Sequence, residues 1–347
     1  MQILITGGAG FIGTNIALAA RKRNHEVIIF DSLIRSGVED NLAVLAREEV
    51  KIFRGDIRSN EDWKRLSTTY PQIKAVIHLA GNPGIPWSIA HPVYDFEVNA
   101  RGTINVLEFA RNLNNIPVIY ASTNKTYSDV VNEVPLFEDK TRYIWDFKDE
   151  ILGISNKGIS ENLPTDGFGA FPHSPYGVSK LSGDMYCQEY FHTYGVPVVI
   201  NRMSCIYGYY QQGVEDQGWI DFFVRQVVYE DKPTLNFYGN GKQVRDMLWG
   251  EDVARLYLDE LEKIEEIKGH IFNIGGGYEN TLSLRESVDY LEKLSGKTVK
   301  IVTKDWRHAD QRIYISDISK IHEAIGWKPI VSPMQGINKM YARYKNS

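Results

Sequence analysis

Residues 2–13 read Gln2-Ile3-Leu4-Ile5-Thr6-Gly7-Gly8-Ala9-Gly10-Phe11-Ile12-Gly13. A β-branched apolar run leads straight into a glycine-rich turn, and the turn into an amphipathic stretch from Phe11 to Lys22. Glycines at such a junction make the turn, let the backbone approach a pyrophosphate, and seat the helix closely on the sheet. The helix start then presents unpaired N–H groups and a positive dipole end to phosphates. Plain turns use glycine too, so the motif is weak alone; Asp31 strengthens it. Standing 18 residues past Gly13 and just beyond the second strand, its carboxylate can accept from ribose hydroxyls and repels a 2′-phosphate, which favours NAD over NADP. Arg35 pulls the other way. Asp56-Ile57, after the next strand, is placed to border the adenine.

Working outward, Gln2 to Thr6, Glu26 to Phe30, Lys51 to Phe53, Ala75 to Leu79 and Val118 to Ser122 read as strands. Helical patterns fall between them at Phe11 to Lys22, Asn60 to Thr69 and Tyr94 to Leu113. This alternation predicts right-handed βαβ units, hence an α/β, Rossmann-type, doubly wound parallel sheet. A helix from Tyr176 to Tyr194 and strands at Val198 to Met203 and His270 to Asn273 extend it. Beyond about Tyr207 the elements become irregular, with helical runs near Glu251 to Ile264 and Leu284 to Leu294. We therefore expect a dinucleotide-binding domain over residues 1–200 and, over 201–347, a smaller C-terminal α/β lobe that binds substrate and partly returns to the sheet. The charged, aromatic stretch 132–172 is long for a mere connection and is read as an insertion covering a site.

Composition narrows the function. With 43% hydrophobic and 24% charged residues over 347, the chain can bury a large core. Its 39 Lys and Arg against 44 Asp and Glu give a net charge of −5, which argues against nucleic-acid or anionic-membrane partners. An anionic substrate would need locally placed cations. Cys187 and Cys205 form no CxxC pair and no His cluster has metal spacing, so neither a disulfide framework nor a metal site is expected. With no leader and no long apolar span, the expectation is a cytoplasmic protein.

Tyr176-Gly177-Val178-Ser179-Lys180 places a phenol and an ammonium on one helix face. A neighbouring cation lowers a phenol's pKa, so Tyr176 is expected to serve as a base near neutrality. The same spacing recurs at Tyr70, Tyr238 and Tyr341, so context must decide. Tyr176 opens a long helix about fifty residues beyond Ala121-Ser122-Thr123-Asn124-Lys125, a strand end whose hydroxyls should emerge where open α/β sheets bind ligands. Thr123 could share a hydrogen bond with a substrate hydroxyl. Alternatively, Ser122 and Thr123 merely cap the strand.

Taken together these residues resemble the extended short-chain dehydrogenases, the sugar-nucleotide epimerases and dehydratases. The likeness runs through Gly239-Asn240-Gly241-Lys242-Gln243-Val244-Arg245-Asp246, Phe272-Asn273-Ile274-Gly275-Gly276 and Asp310-Gln311-Arg312. The resemblance implies that Thr123, Tyr176 and Lys180 are catalytic, with Lys180 also holding the nicotinamide ribose. It implies NAD contacts from Gly7, Gly10, Phe11, Ile12, Gly13, Asp31, Asp56, Ile57, Leu79, Ala80 and Asn99. A nucleotide-diphosphate sugar would be held by Thr123, Asn124, Tyr176, Arg245 and Arg312. Guanidinium groups grip phosphate oxygens bidentately, which supports the two arginines independently, against the alternative of surface ion pairs with Asp246 or Asp310. The family often forms dimers through helices matching Tyr94 to Leu113 and Tyr176 to Tyr194, so a homodimer or homotetramer is expected.

Within the family, Ser122-Thr123-Asn124-Lys125 and Asp216-Gln217-Gly218-Trp219 bring the chain nearest to enzymes that invert C2 of a CDP-hexose. Dehydratases carry Asp-Glu beside the threonine to exchange protons during 4,6-elimination; Asn124-Lys125 lacks that acid-base pair. A UDP-hexose 4-epimerase uses the same tools and remains the alternative. A non-enzymatic NAD sensor would be expected to have lost the Tyr-Lys pair. Cys205 and Ser128 depart from the family, which commonly has asparagine and glycine there.

Overall fold

In the computed structural model, residues 1–147, 152–307 and 309–346 are described. Seven parallel strands form the central sheet, in the spatial order Ile271–Ile274, Val198–Met203, Val118–Thr123, Ile73–His78, Gln2–Thr6, Glu26–Asp31, Lys51–Arg54. The order reverses between Gln2–Thr6 and Ile73–His78, which pair directly, and a crevice opens at the carboxyl ends of strands flanking such a reversal.

Both faces of the sheet are covered, because successive side chains point oppositely and both sets are apolar. Ile3 and Ile5 join Val27, Ile29, Ile77 and Ile119 beneath the helices Phe11–Lys22 and Gly250–Glu262. Leu4, Ile28, Phe30, Val76 and Tyr120 face the other way, against Leu107, Phe109 and Cys187. Burial of alternate residues on both faces accounts for the near-continuous apolar runs in the sequence.

The Gly250–Glu262 helix and the edge strand Ile271–Ile274 both come from the C-terminal half, and Val198–Met203 runs across residue 200. The smaller lobe therefore shares the sheet. Its own core gathers Tyr207, Phe223, Phe237, Met247, Trp249 and Leu291. Cys205–Tyr207, Val244–Trp249, Thr281–Ser283 and Ile313–Tyr314 make a second, four-stranded sheet.

The expected single helix Tyr94 to Leu113 is interrupted. Pro92–Phe96 and Gly102–Asn112 are α-helical, while Glu97–Arg101 forms a π turn. A π turn inserts one residue and commonly marks a functional position; here it carries the fully buried Asn99.

Candidate active site

The glycine loop crosses the crevice floor. Gly7 has φ +67°, and a Cβ there would stand 2.7 Å from the backbone N and Cα of Ala80. Leu79-Ala80 thus presses directly on the loop. A Cβ on Gly13 would lie 2.4 Å from the Gly8 Cα, so the helix meets the loop as only glycine permits. Gly10 caps that helix without a side-chain hydrogen bond, which leaves the first-turn N–H groups of Phe11, Ile12 and Gly13 to a phosphate.

Asp31, the last residue of its strand, accepts from the Ala9 N–H (3.1 Å) and the Leu33 N–H (2.9 Å). Burial pushes its carboxyl upward, and those two backbone donors oppose the shift. Each oxygen keeps a lone pair for a ribose hydroxyl. Arg35 is exposed and donates to Gln217. Asp56 is forked by Arg58, whose Nη2 lies 2.6 Å away and holds the carboxyl low, and Ile57 is buried beside Gly102. The phosphate cradle, the carboxylate and the apolar wall together fit a dinucleotide. Asp31→Ala is expected to weaken NAD binding roughly ten- to a hundredfold, the worth of hydrogen bonds to a charged group, and to narrow the preference over NADP. Titration with both cofactors checks this; unchanged affinities would remove Asp31 from the site.

Asn99 is fully buried. Its Oδ1 accepts from the Asn82 N–H (2.8 Å), and its Nδ2 lies within reach of the Asn82 carbonyl, Asp95 and Ser179. It positions the loop after Leu79-Ala80-Gly81 against the helix that carries Tyr176.

That helix, Pro175–Tyr194, begins with Ser174 accepting from the Gly177 N–H (3.1 Å) and with proline in its first turn. A Cβ on Gly177 would sit 2.5 Å from the Lys125 carbonyl oxygen, so the helix lies hard against the end of Val118–Thr123. Consequently the Thr123 hydroxyl comes beside the Tyr176 phenol, while its Oγ1 lies 3.3 Å from Asn124 Oδ1. Ser122 points elsewhere, donating to Asp184 (2.9 Å), which also receives Arg202 through Nε (2.9 Å) and Nη2 (3.2 Å).

One expectation is corrected here. Tyr176 is not lowered by its cation: burial pushes the phenol up to about 12, opposed only by the nearby Thr123 hydroxyl. Lys180 instead donates to the Ala121 carbonyl (2.6 Å) and lies 4.3 Å from the Tyr120 ring centre. Burial lowers its ammonium to about 8. Spacing placed the two residues on one face, but desolvation, which raises a phenol and lowers an amine, outweighs their pairing.

A lysine lowered from 10.5 destabilises the fold where it is charged: the unfolded chain binds more protons between about 8 and 10.5, so stability rises with pH across that window. The shift is worth up to about 3 kcal/mol. Lys180→Met is therefore expected to match or exceed wild-type stability at pH 7 in urea titrations, with the difference shrinking as pH rises from 8 to 10.5. A variant clearly less stable at pH 7 would contradict that burial penalty.

Outside the strand end, residues 309–312 tie Asn124 and Lys125 to a cleft in the smaller lobe. Lys125 Nζ donates to the Ala309 carbonyl (3.1 Å), and Asn124 Nδ2 to Gln311 Oε1 (3.0 Å). Arg245 pairs with Asp310 at 2.6 Å, whereas Asp246, the next residue along the strand, is buried on the opposite side against Ser204 and Ser316. Asn132, at the start of the expected insertion, donates to the Asp310 carbonyl (3.2 Å) and accepts from the Arg312 N–H (2.9 Å). The cleft is lined by Trp219, Phe223, Tyr238, Arg245, Arg307 and Asp310.

Of the two expected phosphate ligands, Arg245 lines this cleft, whereas Arg312 is exposed beside Trp306. Arg307, which sequence reasoning missed, also lines it, stacked 3.6 Å from the Tyr238 ring centre and paired with Asp216. No short motif marks it. Among the described residues no group of three or more His, Cys, Asp or Glu is arranged to hold a metal, and no helix is long and apolar enough to cross a membrane.

A family model described as the NAD dependent epimerase/dehydratase family matches residues 3–145, and one described as GDP-mannose 4,6 dehydratase matches 153–340. The chain is 40% identical to the CDP-paratose 2-epimerase of Salmonella typhi, over 98% of each chain. It is 28% identical to the UDP-glucuronate 4-epimerase of Thermodesulfobacterium geofontis, over 97% of this chain and 94% of that one. Among solved structures it is similar to the UDP-glucuronic acid 4-epimerase of Bacillus cereus in complex with UDP-glucuronic acid and NAD. There the TM-score is 0.80 at 27% identity, covering 100% of this chain and 99% of the other.

Proposed function

The chain belongs to the NAD-dependent epimerase/dehydratase family, and we propose that within it this protein is an epimerase that inverts C2 of a CDP-hexose of the paratose-to-tyvelose type. The end-to-end 40% identity to a CDP-paratose 2-epimerase carries this reading. The strand end supports it against 4,6-elimination. Beside Thr123, the Asn124 amide is committed to Gln311 and the Lys125 ammonium to the Ala309 carbonyl, which leaves no acid-base pair for elimination.

Bound NAD would supply reversible oxidation of the sugar carbinol, chemistry that no protein side chain provides. The glycine loop and Asp31 would hold it through every turnover. Thr123 and Tyr176, side by side at the strand end, would receive the C2 hydroxyl between them. Tyr176 would take that hydroxyl's proton and later return it. Because burial pushes the phenol well above its ordinary value, it needs a positive charge brought to it. Lys180, one turn along the helix, would supply that charge by leaving the Ala121 carbonyl. Arg245 and Arg307, with Arg312 at the rim, would bind the diphosphate.

We place the active form in the cytoplasm, which the two free cysteines support, and as a homo-oligomer. Val93, Phe96, Val178 and Met185 stand exposed on the helices around Tyr94 and Tyr176, more apolar surface than a solvated helix pair needs. Incubation with CDP-paratose, UDP-glucose and GDP-mannose, with products resolved by NMR, tests the reaction. Inversion at C2 of the CDP sugar is expected; turnover of UDP-glucose at C4 alone would move the protein to the runner-up.

A further inference from the structure

A cleft built to receive an anionic diphosphate contains a carboxylate that no cation holds. Glu215 lines it, and its Oε1 accepts from Asn236 Nδ2 (2.9 Å) and the Tyr238 hydroxyl (2.8 Å). Both donors are neutral. The other acids there are treated differently: Asp310 is bound to Arg245 and the neighbouring Asp216 to Arg307, while Arg307 touches only the backbone oxygen of Glu215. Among the described residues Glu215 Oε2 has no hydrogen-bond donor. Hydrogen bonding from Tyr238, with Asn236 and nearby Lys304 and Arg307 adding to it, keeps the carboxyl low and therefore ionised.

A second acceptor in the cleft is unused. Gln243 is 4% exposed, its Nε2 is turned to the Tyr238 carbonyl (2.8 Å), and its Oε1 has no partner. A buried acceptor without a donor costs free energy that a bound ligand can recover. The aromatic faces of Trp219, Phe223 and Tyr238 beside these acceptors suit a flat heterocycle. Ionised acceptors in an anion's site are tolerable only if the ligand brings N–H donors to them.

We propose that Glu215 reads the base of the nucleotide, accepting a hydrogen bond from the exocyclic amine of cytosine and rejecting the carbonyl that uracil or thymine presents at the same position. The inference rests on the reading that this cleft takes the CDP moiety, and it adds the residue that makes the choice. Selectivity arises from repulsion as much as attraction, because a base carbonyl against a carboxylate leaves two acceptors facing each other without a proton.

Calorimetric titration of the NAD-loaded protein with CDP and with UDP tests this. The wild type is expected to bind CDP at least about tenfold tighter, the usual worth of a hydrogen bond to a charged group. Glu215→Gln should bring the two within about threefold, since an amide can turn its NH₂ toward a carbonyl. Glu215→Ala should close the gap from both sides, weakening CDP and relieving UDP of the repulsion. Glu215 is half-buried, and retained NAD reports that each variant is folded. A CDP preference kept unchanged in both variants, including equal loss of both nucleotides, would overturn Glu215 as the reader while leaving the CDP reading standing. Wild-type protein that bound UDP as tightly as CDP would overturn both.

Discussion

Tyr176→Phe should lower turnover by roughly 10² to 10⁴, the usual contribution of a positioned acid-base group, while NAD and CDP still bind. The substitution removes only the phenolic oxygen. The ring stays between Thr123 and the helix start, and no glycine-loop contact is touched. Steady-state rates beside binding titrations of the same preparation separate the two effects. Near-wild-type turnover would exclude Tyr176 as the base. Equal loss of binding and turnover would make its role structural.

The second large effect falls on stability. Asp184→Ala should destabilise the protein by about 3 to 5 kcal/mol, because it leaves the Arg202 guanidinium buried without its counter-charge. Arg202 lies 4% exposed in the central sheet, held by Asp184 on one side and the Tyr127 hydroxyl (3.2 Å) on the other. Ser122 loses its acceptor in the same stroke. Urea denaturation measures the loss. The double variant Asp184→Ala, Arg202→Met should recover part of it, since an apolar pair removes the stranded charge; a single variant within about 1 kcal/mol of wild type would contradict this account of the network.

Legibility in the sequence followed how local each determinant is. The strand at Gln2–Thr6 and the helix at Phe11–Lys22 were readable to the residue, because a β-branched run, a glycine turn and an amphipathic period fall in immediate succession. The Tyr176–Lys180 spacing was readable for the same reason, yet its electrostatics were not. Whether a phenol is raised or lowered depends on burial and on where an ammonium points, and Lys180 turns to a carbonyl 59 residues away in sequence. The π turn at Glu97–Arg101 leaves no mark in apolar periodicity, since it shifts register by a single residue.

Non-local placement was hardest. Arg245 stood out within a glycine-bearing motif, but Arg307 reaches the cleft through stacking on Tyr238 and pairing with Asp216, 91 residues earlier. Glu215, in a turn, acquires its meaning only from Asn236 and Tyr238, which come from the strand Thr234–Tyr238. Ser122 and Thr123 are neighbours in one strand, so alternation sends the first to Asp184 and the second to Tyr176.

Epimerisation at C2 by oxidation and re-reduction within one closed site makes a demand on the substrate's own hydrogen, and following it is the most direct test. CDP-paratose deuterated at C2 should give epimerised product that keeps its deuterium at C2, with a primary isotope effect on turnover and none from deuterium at C4. Loss of the C2 label to solvent, or an isotope effect that appears at C4 instead, would contradict the account.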